Sequence, residues 1–251
     1  MNHLTLSGLA SFVAALALAA GLFGCAGPAV TNSAEPAARY TLVYLVTGPT
    51  SATNTPAQKQ EIFRGHMANM QRLAAEKSLI LAGPFGKPTN PAWRGLFVFD
   101  VPTKAQALAL ASTDPGVVAG EFALEAREFD GSPALRGAPA IEDAYQAELK
   151  SQGQPERKPG EPPPGIRRYA IVHADDFTRA RRAMSSLPAG HAPRVIWSGA
   201  FADSPGGVFI LDVPGPDEAR AALADADLGP VTIDLWASTA SLPRLPASAA
   251  H

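Results

Sequence analysis

Apolar positions in residues 40–129 recur first every second residue, then every three to four, and the order reads strand, helix, strand, strand, helix, strand. Tyr40–Val46 (YTLVYLV) is an apolar, β-rich run that predicts a buried strand. By alternation Tyr40, Leu42, Tyr44 and Val46 share one face, either core or cleft. Thr47–Thr55 reads as a loop. Pro56–Lys77 then shows helical spacing, with Ile62, His66, Met70 and Leu73 on one stripe and Phe63, Met67 and Ala74 beside it. Leu79–Ala82 predicts a second strand ending at Gly83-Pro84. Lys87–Arg94 predicts a polar loop holding Trp93, and Gly95–Val101 a third strand. Thr103–Ser112 predicts a helix with Ala105, Leu108 and Ala109 inward, and Pro115–Gly120 one further turn. Glu121–Phe129 sets Phe122, Leu124 and Ala126 against Glu121, Glu125 and Arg127, the pattern of a half-buried strand.

The same order returns, more briefly, in residues 168–236. Leu79–Gly86 (LILAGPFG) is echoed by Val195–Ala202 (VIWSGAFA), and Phe97–Pro102 (FVFDVP) by Phe209–Pro214 (FILDVP). The first helix of the second copy, Asp176–Leu187, is about half as long as its counterpart. A βαββαβ unit makes a four-stranded antiparallel sheet with both helices on one face, the ferredoxin-like arrangement. Its other face stays apolar and needs a cover. The expected fold is therefore α+β: two tandem ferredoxin-like repeats, residues 40–129 and 168–243, forming an intramolecular pseudo-dimer that is monomeric in solution. Residues 130–167 are rich in Pro and Gly and predict a linker, extended at Glu161-Pro162-Pro163-Pro164, with Ile141–Lys150 as an isolated helix inside it. Residues 244–251 predict a loose tail.

Charge changes the picture by exclusion. A formal net charge of −2 in 251 residues gives no basic face for nucleic acid. The N-terminus adds an address. Leu9–Phe23 is apolar apart from Ser11, the length of a signal-peptide core and short for a membrane span, although Met1–Gly8 lacks Lys and Arg. The chain's one cysteine, Cys25, ends this run, so no internal disulfide and no cysteine zinc site can form. Leu22-Phe23-Gly24-Cys25 resembles the lipobox of bacterial lipoproteins. That resemblance implies a signal peptide over residues 1–24, lipidation of Cys25 and a tether over residues 25–39. Ala26 in place of Asp implies retention at the outer membrane, facing the periplasm. The alternative is a plain secretory signal or an uncleaved anchor.

Arg64-Gly65-His66-Met67, Leu81-Ala82-Gly83-Pro84-Phe85, Phe97-Val98-Phe99 and Asp114-Pro115 before Val117-Val118-Ala119-Gly120 together resemble the YCII-related family. The resemblance covers residues 40–129. It implies a small dimeric α+β-barrel fold, similar to muconolactone isomerase, and a His–Asp pair in a cleft beside the sheet. By position the pair falls on His66 and Asp114. The second copy keeps Asp227 but has no histidine in its first helix; counting back from Gly199 lands on Arg182, and His191 falls in the loop after it.

His66 has the side chain suited to proton exchange near neutrality, and a carboxylate such as Asp114 would orient its ring. On an apolar stripe it is equally a hydrogen-bonded core histidine. Asp114 before Pro115 has its own competing explanation as a helix N-cap. Trp93 and Arg94 sit near a loop where a ligand gate could be, with a packing or solvent role as the favoured reading. Arg167, Arg168, Arg179, Arg181 and Arg182 form a basic cluster read as a solvated helix face, with anionic headgroups as the minority partner. No metal or cofactor motif is present in the sequence. The residues favour an envelope-anchored protein with a non-catalytic ligand-binding or scaffolding role. The alternative is a lyase- or isomerase-like enzyme using His66 and Asp114 on an aromatic-derived or lactone-like small molecule.

Overall fold

The computed structural model describes residues 37–153, 165–188 and 190–246. The signal segment, Cys25, nearly all of the tether, the Glu161-Pro162-Pro163-Pro164 stretch and the end of the tail lie outside the described residues. No described helix is long and apolar enough to cross a membrane.

The first half contains β1 (Ala38–Thr47), α1 (Pro56–Ala75), β2 (Leu79–Gly86), β3 (Trp93–Phe99), α2 (Lys104–Ala111), α3 (Pro115–Val118) and β4 (Phe122–Gly131). A 3₁₀ turn (Pro133–Gly137) and α4 (Ala138–Gln152) follow. The second half contains β5 (Ile166–Ala174), α5 (Phe177–Ser185), β6 (Val195–Phe201), β7 (Gly207–Leu211), α6 (Pro216–Ala222) and β8 (Val231–Thr239). The eight strands close one barrel in the order β1-β3-β2-β8-β5-β7-β6-β4, every neighbour antiparallel.

Period-2 alternation sends side chains to two different cores. Tyr40, Leu42, Tyr44 and Val46 point into the barrel and meet Tyr169, Ile171, Trp197, Ile210 and Trp236 from the second half. The outer face of the first sheet, with Val43, Phe97 and Phe99, packs under α1 and α2 through Leu73, Ala107 and Ala111. The outer face of the second, with Val172 and Phe209, packs under α5 and α6 through Ala180, Met184 and Ala219.

Closure requires two seams between the halves, and both depend on glycine. At the β2–β8 seam, Phe85 pairs with Trp236 and Gly86 with Leu235. A Cβ on Gly83 would lie 1.8 Å from the Ala237 carbonyl oxygen. The Trp236 indole donates to the Gly83 carbonyl at 3.1 Å, and the Ser238 hydroxyl to that of Ala82 at 2.8 Å. At the β4–β6 seam, Phe129, Asp130 and Gly131 pair with Phe201, Ala200 and Gly199. A Cβ on Gly199 would lie 2.2 Å from the Phe129 ring. Gly83, expected to end a strand, instead lies within β2, and with Gly199 it lets the two halves approach.

Other details depart from the pattern. The buried face of α1 is His66, Asn69 and Leu73, while Phe63 is 62% exposed and Met67 38%. α2 buries Ala107 and Ala111 rather than Ala105 and Ala109, because the sheet beneath accepts an i, i+4 pair offset by two positions. The expected linker is partly architecture. β4 extends to Gly131, and α4 is not isolated: Ile141 packs on the barrel core, and Glu142 accepts from Ser241 at 2.7 Å and from Thr239. Leu245, expected in a loose tail, is 4% exposed and joins Leu135, Ala138 and Leu242 over the same barrel end.

Candidate functional site

α1 begins at Thr55, whose side chain and that of Gln58 cap each other's backbone N–H, with Pro56 in the first turn. Three turns along, Gly65 lets α3 approach, since a Cβ there would lie 2.9 Å from Pro115 Cγ. This contact brings Asp114 beside His66. His66 Nδ1 lies 2.8 Å from Asp114 Oδ2, and the Asn69 amide donates to the same oxygen at 3.4 Å. Asp114 Oδ1 accepts the Gly116 backbone N–H at 2.8 Å. The cap and the His–Asp pair, weighed as alternatives from sequence, coexist because the carboxylate has two oxygens. Asn69 is itself fixed by Arg72, which donates to its carbonyl oxygen at 2.9 Å.

The His66 ring stacks on Phe97, centroids 5.8 Å apart, and tilts against Phe122 at 5.5 Å. Asp114 is fully buried, whereas the His66 side chain keeps 11% of its surface. With Nδ1–H donated to the carboxylate, the neutral ring carries its lone pair on Nε2. Among the described residues that nitrogen has no hydrogen-bond partner, and it is not a sealed atom, so this edge of the ring meets solvent. A proton acceptor held by a buried carboxylate from behind is the arrangement of a general base.

The second half keeps only part of this. Asp227, in the place of Asp114, has 82% of its side chain exposed and pairs with Arg179. The guanidinium hydrogen-bonded to it holds its carboxyl below the usual range. Arg182 is exposed and His191 lies in an exposed turn. The expected basic cluster is dispersed: Arg167 pairs with Asp212, Arg179 with Asp227, and Arg181 lies over the Phe177 ring.

A third constellation, at the barrel end opposite α4, was not anticipated. The Tyr44 hydroxyl lies 2.9 Å from His173 Nε2. Trp93, expected in a polar loop, starts β3 and packs on both rings, at 4.7 Å from Tyr44 and 4.9 Å from His173. Asp234, diagonal to His173 across the β5–β8 pair, accepts the backbone N–H and hydroxyl of Thr89 at 2.6 and 2.7 Å. His173 Nδ1, Trp93 Nε1 and Asp234 Oδ2 are buried without a partner among the described residues. His173 as a residue is half-buried, but Nδ1 is sealed and Nε2 lies against Tyr44, and burial pushes its pKa down to about 4. Burial also raises Tyr44, so its hydroxyl stays protonated beside Nε2. The alternation of Tyr40–Val46 carried the signal for Tyr44; nothing in the sequence paired it with His173, 129 positions away.

The protein is thus an α+β barrel with a helix-borne histidine–carboxylate pair on an outer sheet face. Residues 40–129, the half that carries this site, match the YCII-related domain. A search of curated proteins gives no match. Among solved structures, a mutant chlorite dismutase from Candidatus Nitrospira defluvii is similar at 11% identity, over 82% of this chain and 92% of that one, with a TM-score of 0.39. At that level no functional property carries across.

Proposed function

We propose that this chain is a lipid-anchored envelope protein in which two YCII-like repeats pair as an intramolecular pseudo-dimer, and that His66 and Asp114 form one acid–base site serving a small molecule. The observation that carries this reading is the fully buried Asp114, held at Oδ1 by a backbone N–H and presenting Oδ2 to His66 at 2.8 Å. His66 Nε2 removes a proton from a carbon beside the substrate carbonyl, and the C–H electron pair moves toward that carbonyl oxygen. Asp114 stabilises the imidazolium so formed, which then returns the proton to another carbon of the conjugated system. Nothing is consumed, so the reaction is an isomerisation. The similarity of the YCII-related family to muconolactone isomerase favours a lactone-like substrate.

A second reading rests on the small opening, since 89% of the His66 side chain is covered. In it the pair only locks α3 against α1, and the protein binds or scaffolds without chemistry. The two separate with α-angelica lactone in D₂O, followed by proton NMR. The enzyme reading expects catalysed deuterium uptake at the ring carbon beside the carbonyl, reduced roughly 10²–10⁴-fold in His66→Gln. Uptake that is absent, or equal in the variant, supports the structural reading. The pseudo-dimer reading expects a monomer by sedimentation.

A further inference from the structure

α5 has nine residues where α1 has twenty. Beside the shorter helix lies a cleft of about 710 Å³, lined among others by Arg179, Arg182, Ala183, Leu187, Asp225 and Asp227. That volume falls in the range of small-molecule sites, roughly 300–1,000 Å³. Most of the charge in it is already committed. Asp176 also lines the cleft, but its side chain accepts the Arg179 backbone N–H at 2.9 Å. The Arg179 guanidinium holds Asp227. The Arg182 guanidinium and the Asp225 carboxylate remain without a hydrogen bond or ion pair among the described residues. Ala183 and Leu187 add an apolar wall.

We propose that this cleft binds a small zwitterion with an aliphatic body, an amino acid or dipeptide with both charged ends free. Arg182 takes the carboxylate and Asp225 the ammonium. A plain anion gains Arg182 but meets Asp225, a plain cation meets the reverse, and a dipolar ligand satisfies both. The aliphatic side chain lies against Leu187. Exposed charges contribute modestly, so the affinity is on the order of 1 mM.

The test is an NMR titration of the full chain with L-alanyl-L-leucine. Saturable shifts are expected at Ala183, Leu187 and Ala226, with N-acetyl-alanyl-leucine and alanyl-leucinamide each about tenfold weaker or worse. Arg182→Gln and Asp225→Asn are each expected to weaken the dipeptide about tenfold, with unchanged urea midpoints showing that the fold is intact. The absence of saturable shifts overturns the proposal. So does an acetylated dipeptide that binds as well as the parent, which makes the cleft a simple anion site, or an Arg182→Gln variant that binds undiminished.

Discussion

Asp114 and Asp227 occupy matching places in the two halves, and their surroundings are opposite. Asp114 accepts the Gly116 backbone N–H at 2.8 Å, and the Gly229 backbone N–H, two residues after Asp227, helps hold that carboxyl below its usual range. Asp114 is sealed beneath a long helix and takes a histidine as its second partner. Asp227 stands beside a helix less than half that length and takes an arginine in solvent. The local turn accounts for the shared half of the pattern. Cover from the neighbouring helix accounts for the rest, so the chemistry of an aspartate here is set by what lies over it.

The comparison breaks most visibly at the seams that hold both halves. Gly83→Ala forces a Cβ toward the Ala237 carbonyl and is expected to cost about 3 kcal/mol, with Gly199→Ala somewhat less because the Phe129 ring can shift. Urea unfolding midpoints measure both, and a midpoint within error of the parent would show that the seam is slack. Acid probes the barrel interior next. The unfolded histidine takes up a proton near pH 6.5, while His173 in the folded chain does so at about 4. Between these values the unfolded chain binds more protons, so stability is full above about pH 6.5 and falls as pH drops toward 4, by up to about 3 kcal/mol. Comparing midpoints at both ends of this window in the parent and His173→Gln isolates that contribution; an equal loss in the variant would assign it to other groups. Asp114→Ala removes a cap and leaves a buried imidazole N–H without its acceptor, for about 2 kcal/mol. The ¹⁵N shifts of His66 in Asp114→Asn sharpen this, with loss of the single Nδ1–H tautomer expected. Asp227→Ala should leave the midpoint unchanged, because its partner and its surface are in water. A measurable loss there would mean the two aspartates are more alike than their exposure says.

Much of this was legible in the chain. The two periodicities gave the element order, because strands and helices repeat at 2 and 3.6 residues and Gly, Pro and Asp mark their ends. The pairing of His66 with Asp114 followed from family resemblance rather than spacing, since 48 residues separate them. The seam role of Gly83 and Gly199 was hidden because a close approach is a property of the partner strand. The docking of the helix at Ala138–Gln152 was hidden because its partners lie about 100 positions away: Glu142 and Glu148 reach Ser241 and Arg244, while Ala138 and Ile141 pack on the barrel core. His173 was invisible because its partners come from the other half of the chain.

A barrel assembled from two identical chains changes in pairs: every substitution appears on both sides of the two-fold axis, and an alteration that helps one site is imposed on the other. Here one chain supplies both sheets, so each substitution is made once. A change on one side of the barrel, such as the nine residues of α5 against the twenty of α1, is then not imposed on the other. Closure by a single chain is thus a licence for asymmetry, and the two sides are free to do different work.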